Sequence, residues 1–200
     1  LDILYQQNQV HTDKLMKGIE NTENKDILKE YMGLLGKNII FGKRGITIVQ
    51  TMFYGDPEES GMGKSGGLGT LLKSLGNALA SEKDISRIIT LSVNSDINRS
   101  IITKPLDKHW ILRVPVYLND DNIHEFLLKQ NYIKRSIKVF LNLLNIHPDI
   151  FHVRYLDNAT KAVANLSHDL GAKLAFTLTP DPHRNMTDEN DSLKLFSLQQ

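Results

Sequence analysis

Ser60 to Gly69 reads S-G-M-G-K-S-G-G-L-G, between a β-branched run and a leucine-spaced run. Glycines at this density let the backbone take positive φ and come close to a ligand. Where such a loop opens a helix, unpaired N–H groups and the helix dipole favour an anion. Lys64 adds a mobile cation. The chemistry this arrangement suits is the binding of a phosphate or a phosphosugar. Two other readings stay open on the residues alone. G-K-S ends the P-loop pattern G-x-x-x-x-G-K-[ST], although the position of its first glycine is filled by Glu58. The stretch could also be a turn that does no more than pack a helix on a strand.

The flanking elements must position this loop. Residues 1 to about 38 read as helical, through Leu15, Met16, Ile19, Ile27, Leu28, Tyr31, Met32 and Leu35, with a polar break at Asn21 to Asn24 and two glycines, Gly33 and Gly36, weakening the last turn. Ile46 to Val49 is a strand, the loop runs from Tyr54 to Gly67, and Leu68 to about Glu82 is a helix. Ile85 to Val93 is a second strand, residues 94 to 107 are a polar loop, and His109 to Leu118 is a third strand in which Pro115 marks a sheet edge or a strand end. A helix carrying Ile133, Ile137, Phe140, Leu141 and Leu144 follows, closed by Pro148. Ile150 to Tyr155 is a strand, Ala162 to Leu170 lies on a helix that Gly171 caps, and Lys173 to Leu178 is the last strand. Strands alternating with helices predict crossover units and a largely parallel sheet covered on both faces. The fold class is α/β.

Two segments carry a family resemblance. K-S-G-G-L-G-T-L-L-K-S-L-G-N-A-L-A (Lys64 to Ala80) resembles the K-T-G-G-L-G-D-V motif of glycogen and starch synthases and the shorter T-G-G-Q loop of sucrose-phosphate synthases. P-D-I-F-H-V-R-Y-L-D-N-A (Pro148 to Ala159) is similar to P-D-V-I-H-S-H-Y-A-D-A-G in sucrose-phosphate-synthase-like transferases, and Leu166 to Thr179 resembles the segment that follows it there. The matches span residues 44 to 185 and fall in the family's order. The resemblance implies the N-terminal, Rossmann-like half of a GT-B retaining glycosyltransferase, a parallel sheet flanked by helices. Its activity would be transfer of a hexosyl group from a nucleotide sugar to a sugar or sugar phosphate. It places His152, Asp157 and His183 in the catalytic pocket. It gives phosphate or sugar binding to Lys64, Ser65, Gly66, Gly67, Leu68, Arg154 and Arg184. Arg154 and Thr179 stand where the family carries histidines, and Leu68 where sucrose-phosphate synthases carry glutamine. No metal and no cofactor beyond the nucleotide-sugar donor is implied. A C-terminal domain of the same polypeptide is, so the chain alone would bind weakly and turn over nothing.

Beside these assignments stand plainer ones. His152 can be a satisfied strand-end histidine, and Arg154 with Asp157 a structural ion pair. His11, His109, His124 and His147 lie outside the matches and read as surface or capping groups, and His168 as solvent-facing. Lys134, Arg135 and Lys138 follow helical spacing and read as a solvated face. H-x-R and D-P-H lack the ligand number of a catalytic zinc site, and the G-x-S-x-G elbow of α/β-hydrolases is missing.

Composition bounds the rest. In 200 residues, 40% hydrophobic and 24% charged, there is room for one self-sufficient core. A formal charge of +1 gives no global attraction to nucleic acid or an anionic membrane. The lack of cysteine excludes disulfides, a thiol nucleophile and thiolate-bound zinc. No apolar run reaches the ~20 residues that span a bilayer. A cytoplasmic location is the expectation. We expect a helical appendage, or the end of an upstream region, over 1–40. A Rossmann-like domain would then occupy 41–186, with a polar tail at 187–200 leading toward a C-terminal domain. A non-catalytic scaffold domain of a larger protein is the remaining alternative.

Overall fold

The computed structural model describes residues 13–19, 21–40, 45–53, 55–59, 66–94, 99–115, 129–155 and 157–178. Five helices and six strands are present among them. α1 covers 13–19, α2 Lys25–Ile40, α3 Gly66–Ala80, α4 Gln130–Leu143 and α5 Asn158–Asp169. The strands are β1 (Ile46–Met52), β2 (Ile85–Asn94), β3 (Ile102–Leu106), β4 (His109–Pro115), β5 (Ile150–Val153) and β6 (Lys173–Phe176). They form one sheet in the order β3-β4-β2-β1-β5-β6. All neighbours run parallel except β3, which is antiparallel to β4.

β3 corrects the sequence reading, which left residues 94 to 107 as a loop. It is an edge strand in which Ile102 alone is buried, so Thr103, Lys104 and Pro105 are tolerated, and its pairing is irregular between Thr103 and Leu106. Asp107 and Lys108 turn it into β4, with Lys108 at φ 62°. Lys104 covers the Trp110 ring at 5.1 Å. Pro115 does not mark a sheet edge, since β4 lies between β2 and β3; the rest of the strand expected to Leu118 lies outside the described residues.

Alternation along the strands divides the core. Val49, Ile89, Leu112, Phe151 and Val153 face α1, α2, α4 and α5, where Leu15, Leu35, Ile133, Ile137, Ala162 and Leu166 meet them. Ile48, Ile85 and Ile88 face α3 and pack on Leu79 and Ala80 in a smaller cluster. The polar break between α1 and α2 ends at Asn24, whose Oδ1 accepts from the N–H groups of Asp26 (2.9 Å) and Ile27 (3.3 Å). α5 ends as its glycine requires. Gly171 has φ 67°, its N–H donates to His168 and that of Ala172 to Ser167, a Schellman closure. No helix among the described residues is long and apolar enough to cross a membrane.

Candidate functional site

Chain order fixes where a ligand site can form. After β1 the chain passes through α3 to β2 on one side; β5, on the other side of β1, is followed by α5 on the opposite face. The carboxyl ends of β1 and β5 are therefore a topological switch point, where an open α/β sheet leaves a crevice. The two motifs singled out in the sequence follow these two strands. Their described residues, from Gly66 in the first and from Pro148 to Tyr155 in the second, lie on or follow neighbouring strands of the sheet.

On the β1 side, Gly66, Gly67 and Leu68 are the first residues of α3, where backbone N–H groups lack helical acceptors. A Cβ on Gly67 would meet nothing within 4 Å, so this turn is open, and Leu68 is half-buried. Gly69 serves packing: a Cβ there would lie 3.3 Å from the Asp56 carbonyl oxygen and 3.6 Å from Pro57 Cα. Lys64 and Ser65 lie outside the described residues, as do Thr179, His183 and Arg184.

The segment leading to this loop is held by a cluster that sequence reasoning missed. Asp56 is 3% exposed and receives Arg113 Nε at 2.6 Å and Nη2 at 3.0 Å, with Arg99 Nη1 at 3.2 Å. Arg113 Nη2 also donates to Glu58 Oε2 at 2.6 Å, and Nη1 to the Ser100 carbonyl at 2.9 Å. Arg99 bridges Glu59 and Asp56. Burial works to raise the Asp56 pKa, but the Arg113 hydrogen bonds, the Glu58 N–H and the two guanidinium charges outweigh it and hold the carboxyl below its ordinary value. Glu58, at the position of a P-loop's first glycine, is thus a fixed carboxylate paired with arginine.

Beneath α3 lies a second polar group. His109 is fully buried, which corrects its reading as a surface or capping residue. Its Nδ1 is 2.7 Å from Asn77 Oδ1 and its Nε2 2.8 Å from Thr90 Oγ1, which in turn accepts from Gln50 Nε2 at 2.6 Å. Burial, aided by Lys73, pulls its pKa down to about 4, so it is a neutral, satisfied core histidine. Alternation in H-W-I-L-R-V already put His109, Ile111 and Arg113 on one face. That pattern is the signal that this face of the sheet is polar.

On the β5 side, His152 pairs in register with Gln50 of β1 and Ala175 of β6, so it lies on the α3 face. It is half-buried, and its Nε2 is 2.8 Å from Thr177 Oγ1. Burial and the Arg154 charge lower its pKa. Arg154, two residues on, shares that face and is 7% exposed. Asp157 does not pair with it. Asp157 is the N-cap of α5, its Oδ1 accepting from the Thr160 N–H at 2.6 Å. Removing this cap by Asp157→Ala is expected to cost about 1 kcal/mol in urea denaturation. A loss of binding without that cost would make Asp157 a ligand group instead.

His168 is exposed in the last turn of α5, and His147 is exposed after α4, while His11 and His124 lie outside the described residues. Lys134 reaches Asp169 at 2.7 Å, tying α4 to α5, and Arg135 and Lys138 are exposed. Among the described residues no group of three or more potential ligands could hold a metal ion.

No protein-family model and no curated protein matches this sequence. Solved structures do resemble its fold. A sucrose-phosphate synthase from Thermosynechococcus elongatus superposes with a TM-score of 0.57 at 15% identity, covering 77% of this chain and 38% of its own. A second chain of that enzyme gives 0.48 at 10% identity, over 70% of this chain and 67% of its own. The C-terminal domain of a Pyrococcus furiosus hydrogenase gives 0.41 at 14%, over 68% of this chain and 93% of its own. The first of these supports a GT-B-type, Rossmann-like fold. This chain spans 38% of that enzyme's length.

Proposed function

We propose that this chain is the acceptor-side domain of a retaining glycosyltransferase that moves a hexosyl group from a nucleotide sugar to a sugar or sugar phosphate. One observation carries the reading: the glycine-rich helix start and the His152–Asp157 segment flank the same switch point, between the ends of β1 and β5. The resemblance in fold to part of a sucrose-phosphate synthase supports it.

The chemistry follows from the groups present. The N–H groups of Gly66, Gly67 and Leu68 in the first turn of α3, with the partial positive end of that helix, would stabilise charge on a departing diphosphate. Lys64 and Ser65 would extend that contact. His152, neutral at pH 7, is suited to hydrogen-bonding a sugar hydroxyl rather than to nucleophilic attack. Asp157, His183 and Arg184 would complete the acceptor pocket. A C-terminal domain of the same polypeptide would bring the donor, with no metal or other cofactor, in the cytoplasm. The division into 1–40, 41–186 and 187–200 belongs to this proposal.

The test uses the polypeptide carrying this chain together with its partner domain, incubated with nucleotide sugars and sugar or sugar-phosphate acceptors. Acceptor-dependent release of nucleoside diphosphate is expected, falling on the order of 100-fold in Lys64→Ala. Folded protein that releases none with any pair would refute transfer. Magnesium-dependent ATP binding in its place would establish the P-loop reading.

A further inference from the structure

Three arginines are buried along the sheet, and two of them have a carboxylate to answer their charge. Arg113 lies against Asp56 and Glu58. Arg87 feels the Asp149 carboxylate. Arg154 has no such partner among the described residues. It is 7% exposed, its Nε makes no hydrogen bond, and among the described residues no carboxylate pairs with it. Asp157, the nearest acidic residue in sequence, turns an oxygen to the Thr160 N–H at the start of α5 and does not pair with Arg154. Burial is the main influence lowering the Arg154 pKa, yet an arginine stays protonated, so the charge persists out of water. An uncompensated buried cation is costly, and a fold that keeps one leaves room for an anion beside it.

Its position says where that anion would sit. Arg154 is the first residue past the carboxyl end of β5, two positions beyond His152, and strand alternation carries it to the α3 face. α3 begins beyond β1, its first turn open at Gly67. Arg113 occupies the matching level of β4, but Asp56 and Glu58 already saturate it. Of these two buried arginines among the described residues, Arg154 is the one left to a ligand.

We propose that Arg154 anchors an oxoanion subsite in this crevice and takes a phosphate group of the bound ligand through its guanidinium fork. A planar fork matches two phosphate oxygens, which a histidine at this position could not do. The phosphate of a sugar monophosphate and the diphosphate of a nucleotide share this chemistry. The inference rests on the reading of the crevice as a ligand site.

The test is thermal denaturation of the chain at matched ionic strength, in chloride, inorganic phosphate, a hexose 6-phosphate or a nucleoside diphosphate. Wild type should be stabilised by at least one phosphate probe, and the probe that acts at the lowest concentration identifies the source. Arg154→Met should weaken that probe's apparent affinity about tenfold or more. Its midpoint in chloride should equal or exceed that of wild type, because an uncompensated charge has been removed. If Arg154→Met does not fold, Arg154→Lys, which keeps the charge without the fork, should weaken the response. No response in wild type, or a response unchanged by substitution, overturns the subsite. Nucleoside diphosphate release separates the two proposals. Phosphate binding without release leaves the subsite standing and removes transfer. Acceptor-dependent release that Arg154→Met does not alter removes the subsite alone.

Discussion

Arg113→Met is expected to cost about 3–5 kcal/mol, because it strands a buried carboxylate. Asp56 has a side chain only 5% exposed and takes two hydrogen bonds from Arg113, with Arg99 also at 3.2 Å. Methionine fills the aliphatic space but returns none of the charge. Urea denaturation reads the loss directly, and a change below about 1 kcal/mol would show the cluster to be dispensable. The same pair sets an acid dependence. The folded Asp56 pKa lies below its ordinary 3.8, so the carboxylate's contribution is fully present above that value. It is lost as pH falls through the folded pKa. Wild type should therefore weaken below about pH 4, and Arg113→Met should lack this part of the slope.

Gly36→Ala should destabilise the domain by about 3 kcal/mol, although alanine is the better helix former by about 1 kcal/mol. A Cβ at Gly36 would stand 1.9 Å from the Leu144 carbonyl oxygen and 2.3 Å from its carbonyl carbon. Leu144 caps α4, is fully buried and donates its N–H to Phe140, so this backbone cannot retreat without parting α2 from α4. Gly33, in the same helix, has nothing within 4 Å of its Cβ position. Gly33→Ala should accordingly stabilise by about 0.5–1 kcal/mol. Opposite signs at two glycines three residues apart, in guanidinium denaturation, check the packing of α2 on α4. Equal stabilisation at both would contradict it.

These two sites also show what a sequence can and cannot disclose. Gly33 and Gly36 look alike in a helical pattern, because the atom that separates them belongs to Leu144 on another helix. Asp56 and Arg113 are 57 positions apart, and no local spacing joins them. β3 escaped notice because an edge strand needs only Ile102 buried, and because lysine rather than glycine holds the positive φ of its hairpin. What was legible depends on local physics. Branched runs at Ile46–Val49 and Ile85–Val93 are strands, Gly171 closes α5, and the break before Lys25 is a real cap. For the candidate site, the sequence marked two segments, and only sheet order tells that β1 and β5, which they follow, are neighbours. Burial separates Arg154, whose Nε makes no hydrogen bond, from Arg113 with its carboxylates.

A crevice for phosphorylated sugars at the ends of β1 and β5, as proposed, can be followed by backbone amide shifts of the labelled chain during titration with a hexose 6-phosphate and with a nucleotide sugar. Saturable shifts are expected, largest at Gly66, Gly67 and Leu68 and across His152 to Tyr155, with the face of α4 bearing Lys134, Arg135 and Lys138 unmoved. Shifts centred on that α4 face, or none at either border of the crevice, would contradict it.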